Sequence, residues 1–161
     1  MTTTRNEIYA VLVSLTGDTL LLPNAAIAEV VSPDRMEVAG AGAPPWLAGR
    51  VPYGGHLLPV LRFEVLNGSG RPEQSKRTRV AIVNAIGDSV FYGQYGVVCQ
   101  GYPHLVTLSR SALRVEQRLP TDVEQLVFTR VGIANTNALI PNLEALESRV
   151  AETQVAQAAT A

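Results

Sequence analysis

One short pattern recurs along this chain at an interval of 70 residues: Leu12-Val13-Ser14-Leu15-Thr16-Gly17-Asp18-Thr19 lines up with Ile82-Val83-Asn84-Ala85-Ile86-Gly87-Asp88-Ser89. Each copy is an apolar, partly β-branched run that ends in Gly-Asp, residue types that reverse a backbone between two strands. The first copy predicts a strand over 8–15, a turn over 16–18 and a returning strand over 19–22. The second predicts a strand over 80–86, a turn at 87–88 and a return over 89–92. A duplication of this kind confines the chain to two similar β units in tandem. The alternative is chance, because strand–Gly-Asp–strand hairpins are common.

The intervening segments fit short strands joined by turns. After Pro23, Asn24 can cap one helical turn through Ala25, Ala26 and Ile27, and Glu29-Val30-Val31 resumes an extended run that stops at Ser32-Pro33-Asp34. A brief strand is expected over 36–38 and a loop over 39–45. The Gly/Ser-rich and polar residues of 67–78 form a longer connection, where the boundary between the two units is placed. Later strands are expected over 95–99, 105–108, 126–133 and 138–140, about ten in all, at the spacing of small barrels. The chain closes on a helix. Asn142 is a good cap, Leu143, Leu146 and Val150 share one face, and Glu144, Glu147 and Arg149 are expected on the opposite, solvated one.

The densest hairpin signal is Pro45-Trp46-Leu47-Ala48-Gly49, followed by Gly54-Gly55 and Leu57-Leu58-Pro59-Val60. Two glycines supply the positive φ angles of a tight turn, and Pro59 removes a ladder donor, so this hairpin has an imperfect edge. With Trp46 and Tyr53 beside it, the edge reads as a surface that binds protein. Charge agrees. Only 17% of the residues are charged, against roughly 25% in ordinary soluble domains, so less of the surface than usual needs water. A net charge of −1 leaves no field to attract nucleic acid or an anionic membrane. No apolar run is long enough to span a bilayer. The single cysteine, Cys99, allows no intrachain disulfide and suits a reducing cytoplasm.

Nothing in the chain assembles a reaction centre. His56 and His104 are the only histidines and stand 48 residues apart, no serine sits in a nucleophile elbow, and no glycine loop ends in Lys-Ser or Lys-Thr. Neither a metal nor another cofactor is expected. Asp18 and Asp88 read as turn residues that bond their own backbone. Glu29 differs, because its carboxylate borders the apolar pair Val30-Val31 and can meet a partner's cation. A second reading is a small-molecule sensor in which Trp46, Tyr53, Phe91, Tyr92 and Tyr95 line a ligand pocket.

Several stretches together resemble the CheW-type chemotaxis adaptor family: the opening strand–Gly-Asp–strand followed by Ile27-Ala28-Glu29-Val30, Trp46-Leu47-Ala48-Gly49 through Leu58-Pro59-Val60, Arg79 through Ile86, Phe91-Tyr92-Gly93, and Gln100-Gly101-Tyr102-Pro103. The likeness covers nearly the whole chain and is strongest to members that serve type IV pilus systems. It implies one mainly all-β, CheW-like domain over 1–161, built from two five-stranded SH3-like barrels around a shared core. The first barrel is expected at 8–67, the second at 78–141, a helix at 142–152 and a flexible tail at 153–161. The resemblance further implies a non-enzymatic cytoplasmic scaffold, held near the inner face of the membrane through receptor arrays. Its partners would be a methyl-accepting chemoreceptor and a CheA-type histidine kinase. Receptor contacts carry over to Ile27, Glu29 and Val30, and to Val51, Pro52, Tyr53, Gly54 and Gly55. Two positions depart from the family pattern. Where the family reads Asn-x-Arg-Gly this chain has Pro52-Tyr53-Gly54-Gly55, so a guanidinium is missing at 54, and Arg62 stands where an acid is usual. Arg50 can supply a charge from another place. The departures leave three readings open: a more apolar receptor contact, binding to the kinase alone, or an accessory place in the array.

Overall fold

A β-strand that is apolar on both faces must be covered on both, and the runs Val11-Leu12-Val13, Leu20-Leu21-Leu22, Val80-Ala81-Ile82-Val83 and Val97-Val98-Cys99 all have this character. The computed structural model, which describes residues 7–70 and 72–160 with side chains up to residue 156, shows how that is done. In chain order the strands are β1 (Glu7–Ser14), β2 (Thr19–Pro23), β3 (Ile27–Val31), β4 (Glu37–Val38), β5 (Leu47–Tyr53), β6 (His56–Leu61), β7 (Thr78–Asn84), β8 (Gln94–Gln100), β9 (His104–Ser109), β10 (Leu113–Glu116), β11 (Val127–Ile133) and β12 (Thr136–Pro141). A one-turn helix, α1 (Phe63–Leu66), follows β6, and α2 (Leu143–Thr160) closes the chain.

The strands form two six-stranded sheets, ordered β10-β11-β12-β2-β1-β9 and β3-β7-β8-β6-β5-β4. This corrects the expected division into units at 8–67 and 78–141: the first hairpin leaves its neighbours in sequence and joins β9–β12, while β7 and β8 join β3–β6. Two parallel pairings make the exchange possible, Leu139 of β12 with Leu20 of β2, and Val60 and Leu61 of β6 with Gly96 and Val97 of β8. The expected pair of closed five-stranded barrels is corrected too. Each sheet has six strands and only one of the two is barrel-like; the first has β9 and β10 as its end strands, the second β3 and β4. Gly96 makes the crossing of β6, β7 and β8 tight, for a Cβ there would lie 2.7 Å from Val80 and 2.9 Å from Val60.

Alternation along each strand divides its apolar residues between two compartments. Val11, Val13, Leu20 and Leu22 of the first sheet meet Ala81, Val83, Tyr95, Val97 and Cys99 of the second in a shared core, closed by Leu126, Leu146 and Val150. Their strand neighbours turn the other way. Ala10, Leu21, Leu108, Val131 and Ala138 fill the concave side of the first sheet, and Ala48, Val51, Leu58, Val60, Val80, Ile82 and Val98 that of the second. Cys99 is buried, and burial pushes its thiol up to about 11, which makes it an inert core residue.

Three expectations differ at the level of elements. The predicted return over 89–92 is a turn, Phe91–Gly93, and the true return is β8 from Gln94. The helix does not end near 152 but runs to Thr160, with Gln154 only 6% exposed. Glu147, expected in solvent, is 2% exposed, because it lies one turn after Leu143 on the inward stripe and there accepts bonds from the Ile86 and Gly87 N–H groups at 3.0 and 2.9 Å. The cap at Asn142 forms as read, its Oδ1 accepting from Ala145 N–H at 3.2 Å.

A buried ion cluster ties the sheets to each other. The Arg130 guanidinium on β11 grips both oxygens of Asp18 at 2.8 and 3.0 Å and both oxygens of Asp122 at 2.9 and 2.6 Å. Asn67, just past α1, donates to Asp122 at 3.0 Å and accepts from the Val123 N–H at 2.7 Å. Asp18 therefore does more than shape its turn, where it also accepts from Thr19 N–H at 2.9 Å. The hydrogen bonds and charge of Arg130 hold the Asp122 carboxyl far below the usual carboxylate range.

Two outcomes follow for stability. In Arg130→Met the buried Asp122 loses its cation, and chemical denaturation at pH 7 is expected to show a loss of about 3–5 kcal/mol. A carboxylate with a depressed folded-state pKa stabilises above its unfolded value, so the parent protein weakens as pH falls from about 4 while the variant loses that dependence. Gly49 has φ 155°, and a Cβ there would overlap the Glu37 carbonyl oxygen. Gly49→Ala is accordingly expected to cost about 2–3 kcal/mol, read as a lower melting temperature.

Candidate functional site

The surface to be tested for function surrounds β3 and the β5–β6 hairpin, where the sequence places a carboxylate, two glycines and several aromatic rings. In β3 the pairing with β7 slips between Ile27 and Glu29, so Ala28 is an extra residue and the strand is bent. Ile27 and Val30 are half-buried and pack against the shared core, while the bulge leaves Glu29 exposed. Tyr53, the last residue of β5, packs partly against the interior of the second sheet with its hydroxyl on the side of the Glu29 carboxylate. That neighbouring carboxylate, with a contribution from desolvation, raises the Tyr53 pKa above the ordinary tyrosine value. Near the carboxylate that lacks an arginine at 54 there is thus a neutral phenol.

The turn itself is built as read. Gly54 and Gly55 take φ of 59° and 83°, the two successive positive angles of a tight hairpin, and join Tyr53 to its partner His56. Nothing lies within 4 Å of a Cβ added at either glycine. Pro52 is exposed beside them, but Val51 points the other way and is 2% exposed inside the second sheet, so it supports this surface without reaching it.

Arg50 belongs to a different neighbourhood. Alternation along β5 carries it to the outer face of the sheet, where its Nη2 stands 3.5 Å from Glu37 of β4. From there it opens on a groove of about 480 Å³ that also includes Gly55, Leu57 and Pro59 of the hairpin, Phe91 and Tyr92 of the following turn, and Gln154 of α2. The nine positions inferred from sequence therefore do not form one cluster: Ile27, Glu29 and Val30 lie on β3 with Tyr53 near Glu29, Val51 is buried, Pro52 and Gly54 are exposed at the hairpin, and Arg50 and Gly55 border the outer groove. Sequence reasoning missed the partners of this last pair. Phe91-Tyr92-Gly93 read as a strand end, although the glycine at 93, which takes φ 69°, is itself a turn signal.

The five aromatic residues that could have lined one ligand pocket are dispersed. Tyr95 is sealed in the shared core, Trp46 packs against that core from outside and faces α2, Tyr53 lies near Glu29, and Phe91 and Tyr92 are 43% and 62% exposed. His56 stacks on Tyr92, and His104 begins β9 on the other sheet. Among the described residues no group of three His, Cys, Asp or Glu side chains is placed to hold a metal ion. The same residues include no helix long and apolar enough to cross a membrane. Among the described residues this surface offers hydrogen-bonding groups, the Arg50 guanidinium and apolar area.

Comparison with known proteins places this geometry. The chain is similar in fold to the scaffolding protein TtCheW from Thermoanaerobacter tengcongensis, with a TM-score of 0.67 and 19% identity over 84% of this chain and 89% of that one. A search of curated proteins returns no match. Residues 10–150 match the model of the CheW-like domain, whose members are non-catalytic scaffolds that generally link receptors to the CheA kinase in chemotaxis signalling. Both the match, which spans most of the chain, and the paired sheets with their closing helix lead to one assignment: this chain belongs to the CheW-like domain family.

Proposed function

We propose that this chain is an adaptor that couples a methyl-accepting chemoreceptor to a CheA-type histidine kinase, in the cytoplasm at receptor arrays, and that it is of the ChpC-like kind serving type IV pili. The observation that carries the adaptor reading is the family match over residues 10–150. Receptor contact is assigned to the face around Ile27, Glu29 and Val30 with Pro52, Tyr53 and Gly54. Two features support this. The β3 bulge aims Glu29 outward, and the bare Gly54 leaves open space where a long side chain would stand. With glycine at 54 and a neutral phenol near the carboxylate, that face is less polarised than one carrying a guanidinium, and it suits a more apolar receptor surface.

Kinase contact is assigned to the outer strands of the first sheet. Leu105 on the end strand β9, Val115 on the end strand β10 and Phe128 on the neighbouring β11 are 72%, 76% and 68% exposed, an unusual amount of apolar area beside two free strand edges.

Size-exclusion chromatography of the full chain with the kinase regulatory domain and the receptor cytoplasmic domain of its own cell tests both assignments. A ternary complex is expected. Glu29→Lys is expected to weaken receptor binding about tenfold, about 1.4 kcal/mol, and to leave kinase binding unchanged. Kinase binding with no receptor binding in the parent chain means an accessory member of the array, and no binding to either rejects the adaptor reading. Deletion of the gene is expected to alter twitching and not swimming, and the reverse removes the pilus assignment.

A further inference from the structure

We infer that the outer groove between the β5–β6 hairpin, the 91–93 turn and α2 docks an acidic, apolar segment of a partner protein, with Arg50 as its anion-binding group. The proposal rests on the adaptor reading for the partner being a protein, and it adds a second recognition site on the opposite face of β5 from Tyr53 and Glu29.

The groove is a constructed feature and not a gap between loops. Tyr92 sits at φ 66° and ψ 4°, a left-handed conformation that a non-glycine residue adopts only under restraint. Its surroundings hold it there. The Tyr92 ring lies 3.8 Å from the His56 ring at an interplanar angle of 12°, which staples the turn to the hairpin. The Phe91 N–H donates to Gln154 Oε1 at 2.9 Å, and Gln154 is itself buried in α2. Glu147, one helical stretch earlier, fixes the Ile86 and Gly87 N–H groups in the same way. Three restraints and a strained residue thus present Phe91, Tyr92 and Leu57 to solvent, at 43%, 62% and 40% exposure. Strain maintained at exposed aromatic rings points to recognition.

Charge complementarity selects the occupant. Among the described residues no carboxylate lines the groove, and Arg50 supplies its charge. In the free protein that guanidinium meets Glu37 at 3.5 Å, with the two side chains 42% and 59% exposed. An ion pair so long and so wet contributes little, so it exchanges readily for a partner carboxylate that arrives with apolar neighbours and excludes water. Glu37 acts as a placeholder. The apolar floor of Leu57 and Pro59 and the walls of Phe91 and Tyr92 then take the adjoining side chains.

The test titrates the full chain with three labelled 18-residue amphipathic helices that share one Leu/Phe stripe and carry Glu, Gln or Lys beside it, read by fluorescence anisotropy. The Glu helix is expected to bind at least tenfold more tightly than the Lys helix. Arg50→Gln is expected to erase that preference, Glu37→Gln to raise affinity for the Glu helix about threefold, and Leu57→Ser to weaken all three helices. All three substituted side chains are partly or fully exposed, and an unchanged melting temperature confirms that each variant folds. Equal affinity for the helices, a preference that survives Arg50→Gln, or no binding overturns the proposal. Self-association in sedimentation that Arg50→Gln abolishes also overturns it, because the occupant is then a second copy. A chain that fails the helix series and still assembles with receptor and kinase loses this groove but keeps the adaptor role; one that passes the series and binds neither loses the role but keeps the groove.

Discussion

The shared core between the two sheets is the constraint on which the remainder of the structure depends. Each sheet places alternate apolar residues on its concave side and the others against its neighbour, so neither can be completed alone. Burial of one face without the other would leave Val11, Val13, Val83 and Val97 in water, at roughly 1.5–3 kcal/mol for each side chain of this size. The chain secures the arrangement by its path. It begins in the first sheet, builds the whole of the second, and returns to finish the first, so its two ends enclose the middle.

Polar fastenings then decide how the connecting loops are held. Arg130 with its two aspartates joins the first hairpin turn to the segment before β11, and Asn67 carries the same cluster to the end of α1. Helix α2 does the equivalent on the other side, with Glu147 and Gln154 receiving backbone N–H groups that the 86–93 segment would otherwise leave unpaired. These are buried acceptors with partners, the form in which a polar group can be kept inside a protein. Their consequence for function is positional. The rings of Phe91 and Tyr92 and the hairpin glycines occupy set places at the protein surface because the backbone beneath them is tied down.

The proposed recognition surfaces draw on two faces of one strand. Val51 and Tyr53 point to the interior of the second sheet, with Tyr53 near Glu29, and Arg50 and Pro52 point outward. A single hairpin borders two neighbourhoods of different character, one with a carboxylate near a phenol and the other with a guanidinium among aromatic rings. Separate faces on a rigid element allow two contacts to be made at once, since partners that share a face exclude each other.

Strands β1, β2, β5, β6, β7, β8 and β12 were legible in the residues, because runs such as Val80-Ala81-Ile82-Val83 and turns such as Gly54-Gly55 are dictated by local steric and burial preferences. So were the Asn142 cap and the inward face of Leu146 and Val150, which need only the helical period. The family resemblance was legible as well, from short motifs spread over the whole length. What the residues could not reveal is which strands pair: β2 beside β12 and β6 beside β8 are contacts between segments far apart, and any apolar strand of the right length satisfies the local rules equally well. The same holds for Glu147, Gln154, Arg130 and Asp18, polar side chains whose sequence neighbours suggest solvent and whose partners lie about 60 or 112 residues away. By itself the sequence determined the β-rich class and the hairpins, since these follow from residue type and spacing. Only the tertiary structure decided the interleaved sheets, the turning of Val51 inward and Arg50 outward, and the nearness of Tyr53 to Glu29, because those depend on where the chain returns in space.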